Sequence, residues 1–389
     1  MSKYFSHLNT ATRIVQQYKG EMPLAAYLKS FFASEKKYGS QDRRSIANMC
    51  YACFRTGNML RHLPVEERIR YGLYLTNTLP AALETDRLHS ITSDASITLE
   101  EKLNILELDV HSIFSGKDQL SIGIEQDKFC RSFLLQPKLF IRLRPGKRLL
   151  VERKLKEANV KFETMGEHCL AFENGTRIET ILHNNQEYVV QDYNSQQVFT
   201  LLSPVQQDTS SLTVWDCCAA SGGKAIFAHD IFPNLQLTVS DVRPSILHNL
   251  SKRLQQAGIK HYHSFTADLT NEAEVDKRFS DKPFDLVICD APCSGSGTWS
   301  RTPEQLNFFT LSEIDRYSQL QKKIAANASR AIKQNGYLLY VTCSVFKKEN
   351  EEVVDYLLTH FPLELVEMQL FKGYTMQADS MFAALLKVV

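Results

Sequence analysis

The sequence predicts an α/β fold built on a parallel sheet, with its ligand site at the carboxyl ends of the strands. Three observations carry this expectation. Between residues 214 and 290, four short apolar runs alternate with helix-period segments. Each run ends on an acid or a glycine turn: Asp216 before Cys217-Cys218-Ala219-Ala220-Ser221-Gly222-Gly223-Lys224, Asp241 after 235–240, Asp268 after 261–266, and Asp290 after 284–289. In such sheets the loops after the strands converge on one edge, and that edge takes the ligand.

At 389 residues the chain exceeds one ordinary core, so two or three domains are expected. Its 45 Lys and Arg against 44 Asp and Glu leave a formal net charge of +1, so nucleic-acid binding would need a local basic surface. The opening Met1-Ser2-Lys3-Tyr4-Phe5 lacks an apolar signal region, and no long apolar run suggests a membrane span. The nine cysteines are odd in number, which argues against a disulfide framework and for a reducing cytoplasm. Cys50 and Cys53 form a lone C-x-x-C with no second ligand pair; helix packing is expected there, and no metal site anywhere.

In chain order, residues 1–127 read as a helical accessory domain. Leu24, Tyr27, Leu28, Phe31 and Phe32 recur at helical spacing behind Pro23. Ser40 precedes a second helix carrying Ile46, Met49, Cys50, Cys53 and Phe54 on one stripe, with Gly57 as its stop. A polar stretch over 76–93 and apolar periodicity over 99–106 continue the helical character.

Residues 128–204 read as a small α/β domain, with strands near 140–144, 169–172 and 187–190 and a charged helix over 148–159. Arg142, Arg144, Lys147, Arg148, Arg153, Lys154 and Lys156 concentrate positive charge there. Such a run is either a solvated helix face or a phosphate-binding surface, and Arg142 and Arg144 are the RNA contacts expected under the second reading. After a polar linker at 206–211 comes the main domain, 205–389.

At the first turn, backbone N–H groups from Cys218 to Lys224 and a helix start suit an anionic or polar ligand group. Asp241 is placed to accept both hydroxyls of an adenosine ribose. Ala220-Ser221-Gly222-Gly223 is not G-x-G-x-x-G, and Gly222-Gly223-Lys224 lacks the rest of a P-loop, so nicotinamide and ATP chemistry are disfavoured. The remaining common nucleoside cofactor is S-adenosylmethionine, with Asp241 at the ribose and Asp268 near the adenine.

Cys293, in Asp290-Ala291-Pro292-Cys293, and Cys343, in Thr342-Cys343-Ser344, follow successive strands and should reach the same edge. A cysteine on such a loop can become a nucleophile. Glu349-Asn350-Glu351 reads as the acidic first turn of the following helix.

These residues carry a resemblance. Cys218-Ala219-Ala220-Ser221-Gly222-Gly223-Lys224, Asp290-Ala291-Pro292-Cys293-Ser294-Gly295-Ser296-Gly297, and Thr342-Cys343-Ser344 with Glu349-Asn350-Glu351 resemble three motifs of the Sun/RsmB-type RNA (cytosine-5) methyltransferases. The likeness runs over residues 128–389 and takes in Gln191-Asp192, Ser195-Gln196 and Asp379-Ser380-Met381-Phe382-Ala383. More weakly, 24–54 resembles the NusB-like N-terminal domain of the small-subunit rRNA members. The resemblance implies a class I S-adenosylmethionine-dependent methyltransferase domain, Rossmann-like with a seven-stranded mixed sheet, preceded by a helical domain and a small RRM-like domain.

It also implies roles. Cys343 would add to carbon 6 of the cytosine, and Asp290 would hydrogen-bond the ring as charge develops. Cys293 would assist loss of the carbon 5 proton and release of the adduct, and Lys224 would orient Asp290 or the base. The base must be flipped outward, which favours flexible or single-stranded RNA. Ribosomal RNA is the expected substrate, transfer RNA the alternative, and the chain is taken as a monomer. Departures from the family pattern stand at Ser221, Ala225, Ile246, Ser380-Met381 and Arg144. Two rivals are weighed: a DNA cytosine-5 methyltransferase with Cys293 as nucleophile, and a non-catalytic RNA-binding factor. The short tail after Cys343 argues against the first, and two retained thiols argue against the second.

Overall fold

The computed structural model describes residues 3–85, 88, 97–206, 211–232, 234–279 and 284–389. Parts of the expected polar stretch at 76–93 and of the linker at 206–211 lie outside them. The described chain forms two units: residues 119–123, 137–297 and 312–389 make the larger, and residues 1–118, 124–136 and 298–311 the smaller. Among the described residues, no helix is long and apolar enough to cross a membrane.

Strands of the larger unit are β1 (Leu139–Leu143), β2 (Glu163–Thr164), β3 (Cys169–Phe172), β4 (Tyr188–Val190), β5 (Leu212–Asp216), β6 (Leu235–Asp241), β7 (Tyr262–Thr266), β8 (Phe284–Asp290), β9 (Ile332–Thr342), β10 (Leu363–Phe371) and β11 (Met381–Val388). Seven of them form a mixed sheet in the order β10-β11-β9-β8-β5-β6-β7. β5 to β9 run parallel, and β11 enters antiparallel between β9 and β10. The central strands β5 and β8 read as mostly apolar runs because both faces are covered, whereas β7 at the sheet edge is largely exposed. On one face Trp215, Val287, Leu338, Tyr340 and Phe382 are buried; on the other, Val214, Leu286, Ile288, Leu339 and Val341. Successive side chains of each strand thus feed two cores. Strand order reverses at β5, whose neighbours are β6 and β8, and a crevice opens beyond the strand ends at such a switch point.

The first turn is made by backbone that most residues avoid. Ala220 has φ of 44° and Gly222 a φ of 81°, so the chain reverses sharply before the helix Gly223–Ile231. A Cβ at Gly222 would stand 3.3 Å from Leu250 Cγ, so glycine answers both the backbone and the space.

The region expected as a small α/β domain supplies an antiparallel sheet within the larger unit, in the order β2-β3-β1-β4. Val151 and Leu155 of helix Arg148–Glu157 pack on Ile141, Leu143, Leu170 and Phe172 of that sheet.

In the smaller unit, helices Lys3–Gln17, Leu24–Ser34, Ser40–Arg55 and Val65–Leu75 bury Leu8, Ile14, Leu28, Phe32, Ile46, Met49, Cys53, Phe54 and Leu73 together. Ser40 is the first helical residue rather than the cap: Gly39 caps the helix, and its N–H donates to the Asp42 carboxylate at 3.1 Å. Gly57, after the helix end, has φ of 51°, and a Cβ there would meet the Ile113 carbonyl oxygen. Cys50 and Cys53 are fully buried, and burial raises both thiols, which fits packing.

Candidate active site

Three loops at the carboxyl edge of the large sheet hold the reactive groups. The turn after β5 carries Lys224, the loop after β8 carries Asp290 and Cys293, and the loop after β9 carries Cys343. The sulfur atoms of Cys293 and Cys343 are 3.2 Å apart. Lys224 Nζ donates to Asp290 Oδ2 at 2.7 Å. Burial alone would lower the Lys224 pKa, but the Asp290 carboxylate outweighs it and holds the ammonium above its ordinary range. The Cys343 thiol, and then burial, push Cys293 well above the ordinary thiol range. Asp216 is wholly buried, and neither oxygen forms a full hydrogen bond, with the Ala225 N–H as the nearest helpful donor. Burial, followed by repulsion from Asp290, raises its carboxyl well above normal.

Beside these groups lies a cavity of about 530 Å³. Of the residues expected to hold a cofactor, Cys218, Ala220, Asp241, Asp268 and Asp290 line it, together with Cys293. Ala219, Ser221, Gly222 and Gly223 shape the turn without lining the cavity, and Lys224 meets it through Asp290. Val242, Leu269, Pro292, Leu320 and Ile324 give apolar walls, the mix of many apolar and few polar groups usual for a small-molecule site. Asp241 accepts from the Ala220 N–H at 3.1 Å and from the Arg243 side chain at 3.0 Å. Burial would raise its pKa, yet the Arg243 contacts outweigh that and keep the carboxylate ionised. Asp268 is exposed, and its Oδ1 accepts from the Thr270 hydroxyl at 2.7 Å and N–H at 3.0 Å.

The two cysteine loops are tied by a residue read from sequence only as a helix-start acid. The helix begins at Glu351, and Glu349 lies in a preceding turn, fully buried. Its Oε2 accepts from the Ser294 N–H at 2.9 Å and from Gln321 Nε2 at 2.9 Å, and its Oε1 from the Ser344 hydroxyl at 2.8 Å. One carboxylate therefore joins the neighbours of Cys293 and Cys343. Asn350 accepts from the Thr342 hydroxyl at 2.6 Å and donates to the Ser344 carbonyl at 2.9 Å. Gly297 completes the tie: its N–H donates to the Cys343 carbonyl and its carbonyl accepts from the Ser380 N–H, both at 2.9 Å. The legible signal was an acid and an amide set shortly behind a cysteine loop; the partner loop, 55 residues earlier, was not legible.

Arg142 and Arg144 require a correction. Arg142 is 1% exposed, donates to Gln191 at 2.8 Å and Asp230 at 2.5 Å, and stacks on Phe227. Arg144 donates to Asp230 at 3.0 Å, to the Asn185 carbonyl at 2.5 Å and to the Ala257 carbonyl at 3.0 Å. Both guanidiniums share one buried carboxylate. Both faces of β1 are covered, with every residue after Leu139 buried, and these arginines fasten the small sheet to helix Gly223–Ile231.

The arrangement has counterparts. Residues 199–386 match the family model described as 16S rRNA methyltransferase RsmB/F. A Bacillus subtilis (strain 168) protein named "Probable ribosomal RNA small subunit methyltransferase B" is 27% identical over 241 residues, covering 61% of this chain and 52% of that protein. "Ribosomal RNA small subunit methyltransferase B" of Xanthomonas campestris pv. campestris is 34% identical over 170 residues, covering 43% of this chain and 37% of that protein. The match thus spans about half or less of the length of these curated relatives. In fold, the chain is similar to the crystal structure of PH0851, with a TM-score of 0.68 at 20% identity over 97% of this chain and 96% of that one. The resemblance read from the three motifs is borne out in that residues 199–386 match the RsmB/F methyltransferase family model.

Proposed function

We propose that this chain transfers a methyl group from S-adenosylmethionine to carbon 5 of a cytosine in RNA, with ribosomal RNA as the favoured substrate. The observation that carries the reading is the 3.2 Å approach of Cys293 to Cys343 beside the Lys224–Asp290 pair, on the rim of the cavity.

The residues present fit the cofactor. A cavity of about 530 Å³ suits a nucleoside amino acid, with the ionised Asp241 for the ribose hydroxyls, Asp268 at the far wall and apolar surfaces for the adenine. When bound, the cofactor supplies an electrophilic methyl group carried on a sulfonium. The chain's own residues do the rest. The sulfur of Cys343 forms a bond to carbon 6, which makes carbon 5 electron-rich. Asp290, aligned by Lys224, faces the ring's amino edge as charge moves on to it. The proton leaves carbon 5 toward Cys293 or solvent, and the Cys343–carbon 6 bond then breaks.

All nine cysteines are free thiols, which supports a reducing, cytoplasmic setting. The reading is tested by incubating the full chain with labelled S-adenosylmethionine and either small-subunit ribosomal RNA or transfer RNA, then mapping 5-methylcytosine by bisulfite sequencing. Methylation of ribosomal RNA alone supports the favoured substrate, of transfer RNA alone moves it to the alternative, and label on neither rejects the activity.

A further inference from the structure

At the cofactor cavity lies a group of three thiols to which the proposed methyl transfer assigns no chemical step. Cys217 and Cys218 follow β5, and Cys289 precedes Asp290 at the end of β8. The Cys217 N–H donates to the Ile288 carbonyl at 3.0 Å, which sets the two strand ends side by side. As a result the three sulfur atoms all lie within 4.8 Å of one another. Cys217 and Cys289 are buried, while Cys218 is half-buried and, with Cys217, lines the cavity. It is the one such ligand group among the described residues.

We propose that Cys217, Cys218 and Cys289 form a three-thiolate site for one soft divalent metal ion of the zinc type, reached from the cofactor cavity. Three sulfurs around such an ion stand roughly 3.8 Å apart when metal–sulfur bonds are about 2.3 Å, so small rotations about the Cα–Cβ bonds close the site. Thiolate donors select thiophilic ions over magnesium or calcium, which need oxygen. Binding forms three metal–sulfur bonds and releases three thiol protons to solvent, so affinity rises with pH. The fourth position faces the cavity and is open to water or a ligand. Two ligands come from the loop before the glycine turn and one from the residue before Asp290, so an occupying ion holds the β5 and β8 loops together at the cofactor site. Its consequence for catalysis rests on the function proposed above: zinc and cofactor compete for the cavity.

The test uses the reduced, metal-free full chain titrated with Cd²⁺, reading the thiolate-to-metal charge-transfer absorption and the mass of the folded protein. The expected result is one ion per chain. It persists when Cys293→Ser and Cys343→Ser are combined, and weakens by about 100-fold or more in Cys289→Ser. Because Cys289 sits inside a core strand, Cys218→Ser, in the half-exposed turn, is a second variant expected to weaken binding likewise. The proposal is overturned if the wild type takes up no ion, if the ion vanishes with the Cys293/Cys343 pair, or if folded Cys218→Ser keeps full affinity. Neither cofactor nor RNA is present, so failure here leaves the methyltransferase reading standing, and the converse.

Discussion

The sulfur atoms of Cys293 and Cys343 lie 3.2 Å apart although 50 residues separate them in sequence. Two thiols at that distance can act in turn on one carbon–carbon bond of a base. Cys343→Ala should therefore lower methyl transfer by about 10⁴-fold or more, the scale of losing a covalent nucleophile. Cys293→Ala should instead accumulate a protein–RNA adduct that survives denaturation, visible as a shifted band on a denaturing gel. Normal turnover by Cys343→Ala rejects its role as nucleophile.

Glu349 bonds the neighbours of both cysteines, Ser294 and Ser344, and does not line the cavity. Glu349→Gln keeps the shape but turns one acceptor oxygen into a donor facing donors. A stability loss of about 2–4 kcal/mol is expected from the weakened charged hydrogen bonds. The lower kcat should come with a nearly unchanged KM for S-adenosylmethionine, because Glu349 does not line the cavity. Equal loss in both parameters would make the residue merely structural.

Gly297 allows the Cys293 loop to lie against β11. A Cβ there would stand 2.1 Å from the Ser380 carbonyl oxygen and 3.0 Å from that of Cys343. Gly297→Ala should cost about 1–3 kcal/mol by overpacking and slow turnover by displacing both loops. Thermal denaturation and kcat measured together check it; an unchanged pair of values counts against the tight fit.

Arg142 is a buried partner of Asp230. Arg142→Ala strips the buried Asp230 carboxylate of one of its two guanidinium partners, Arg144 remaining, and should destabilise by at most about 3–5 kcal/mol. Burial lowers the Arg142 pKa, with Asp230 opposing, which shows how much the pair depends on its partner. Chemical denaturation measures the loss, and RNA binding by the still-folded fraction should keep its salt dependence.

Asp216 makes stability depend on pH. Its folded-state carboxyl is raised by burial and by Asp290, so its contribution is fully present below the unfolded pKa of about 3.9 and is lost as pH rises through the folded value. Asp216→Asn removes that loss. The variant should gain on the wild type as pH rises, and the difference should shrink toward acid. Melting temperatures across pH 4 to 9 read the slope, and a gain that grows toward acid reverses the sign.

Much of the catalytic unit was legible from local pattern. The runs 235–240, 261–266 and 284–289 became β6, β7 and β8 to within a residue; β8 reads as apolar sequence because both its faces are covered, while β7, at the sheet edge, is largely exposed. The helix before Gly57 and the turn at Gly222 were equally plain, since a positive φ demands glycine. Arg142 and Arg144 were misjudged for a physical reason. Charge counts do not tell which face of a strand meets solvent, and Asp230, the carboxylate that draws both inward, lies more than 80 residues on.

By itself, then, the sequence determined the strands, their acidic ends, the family motifs and the two cysteines of the strand-end loops. All of these follow from short-range periodicity and residue type. Tertiary structure alone decided which distant groups meet: Glu349 with Ser294, Cys217 beside Cys289, Arg142 with Asp230. Hydrogen bonds and buried ion pairs act over about 3 Å between segments of any sequence separation, and a linear pattern carries no record of that pairing.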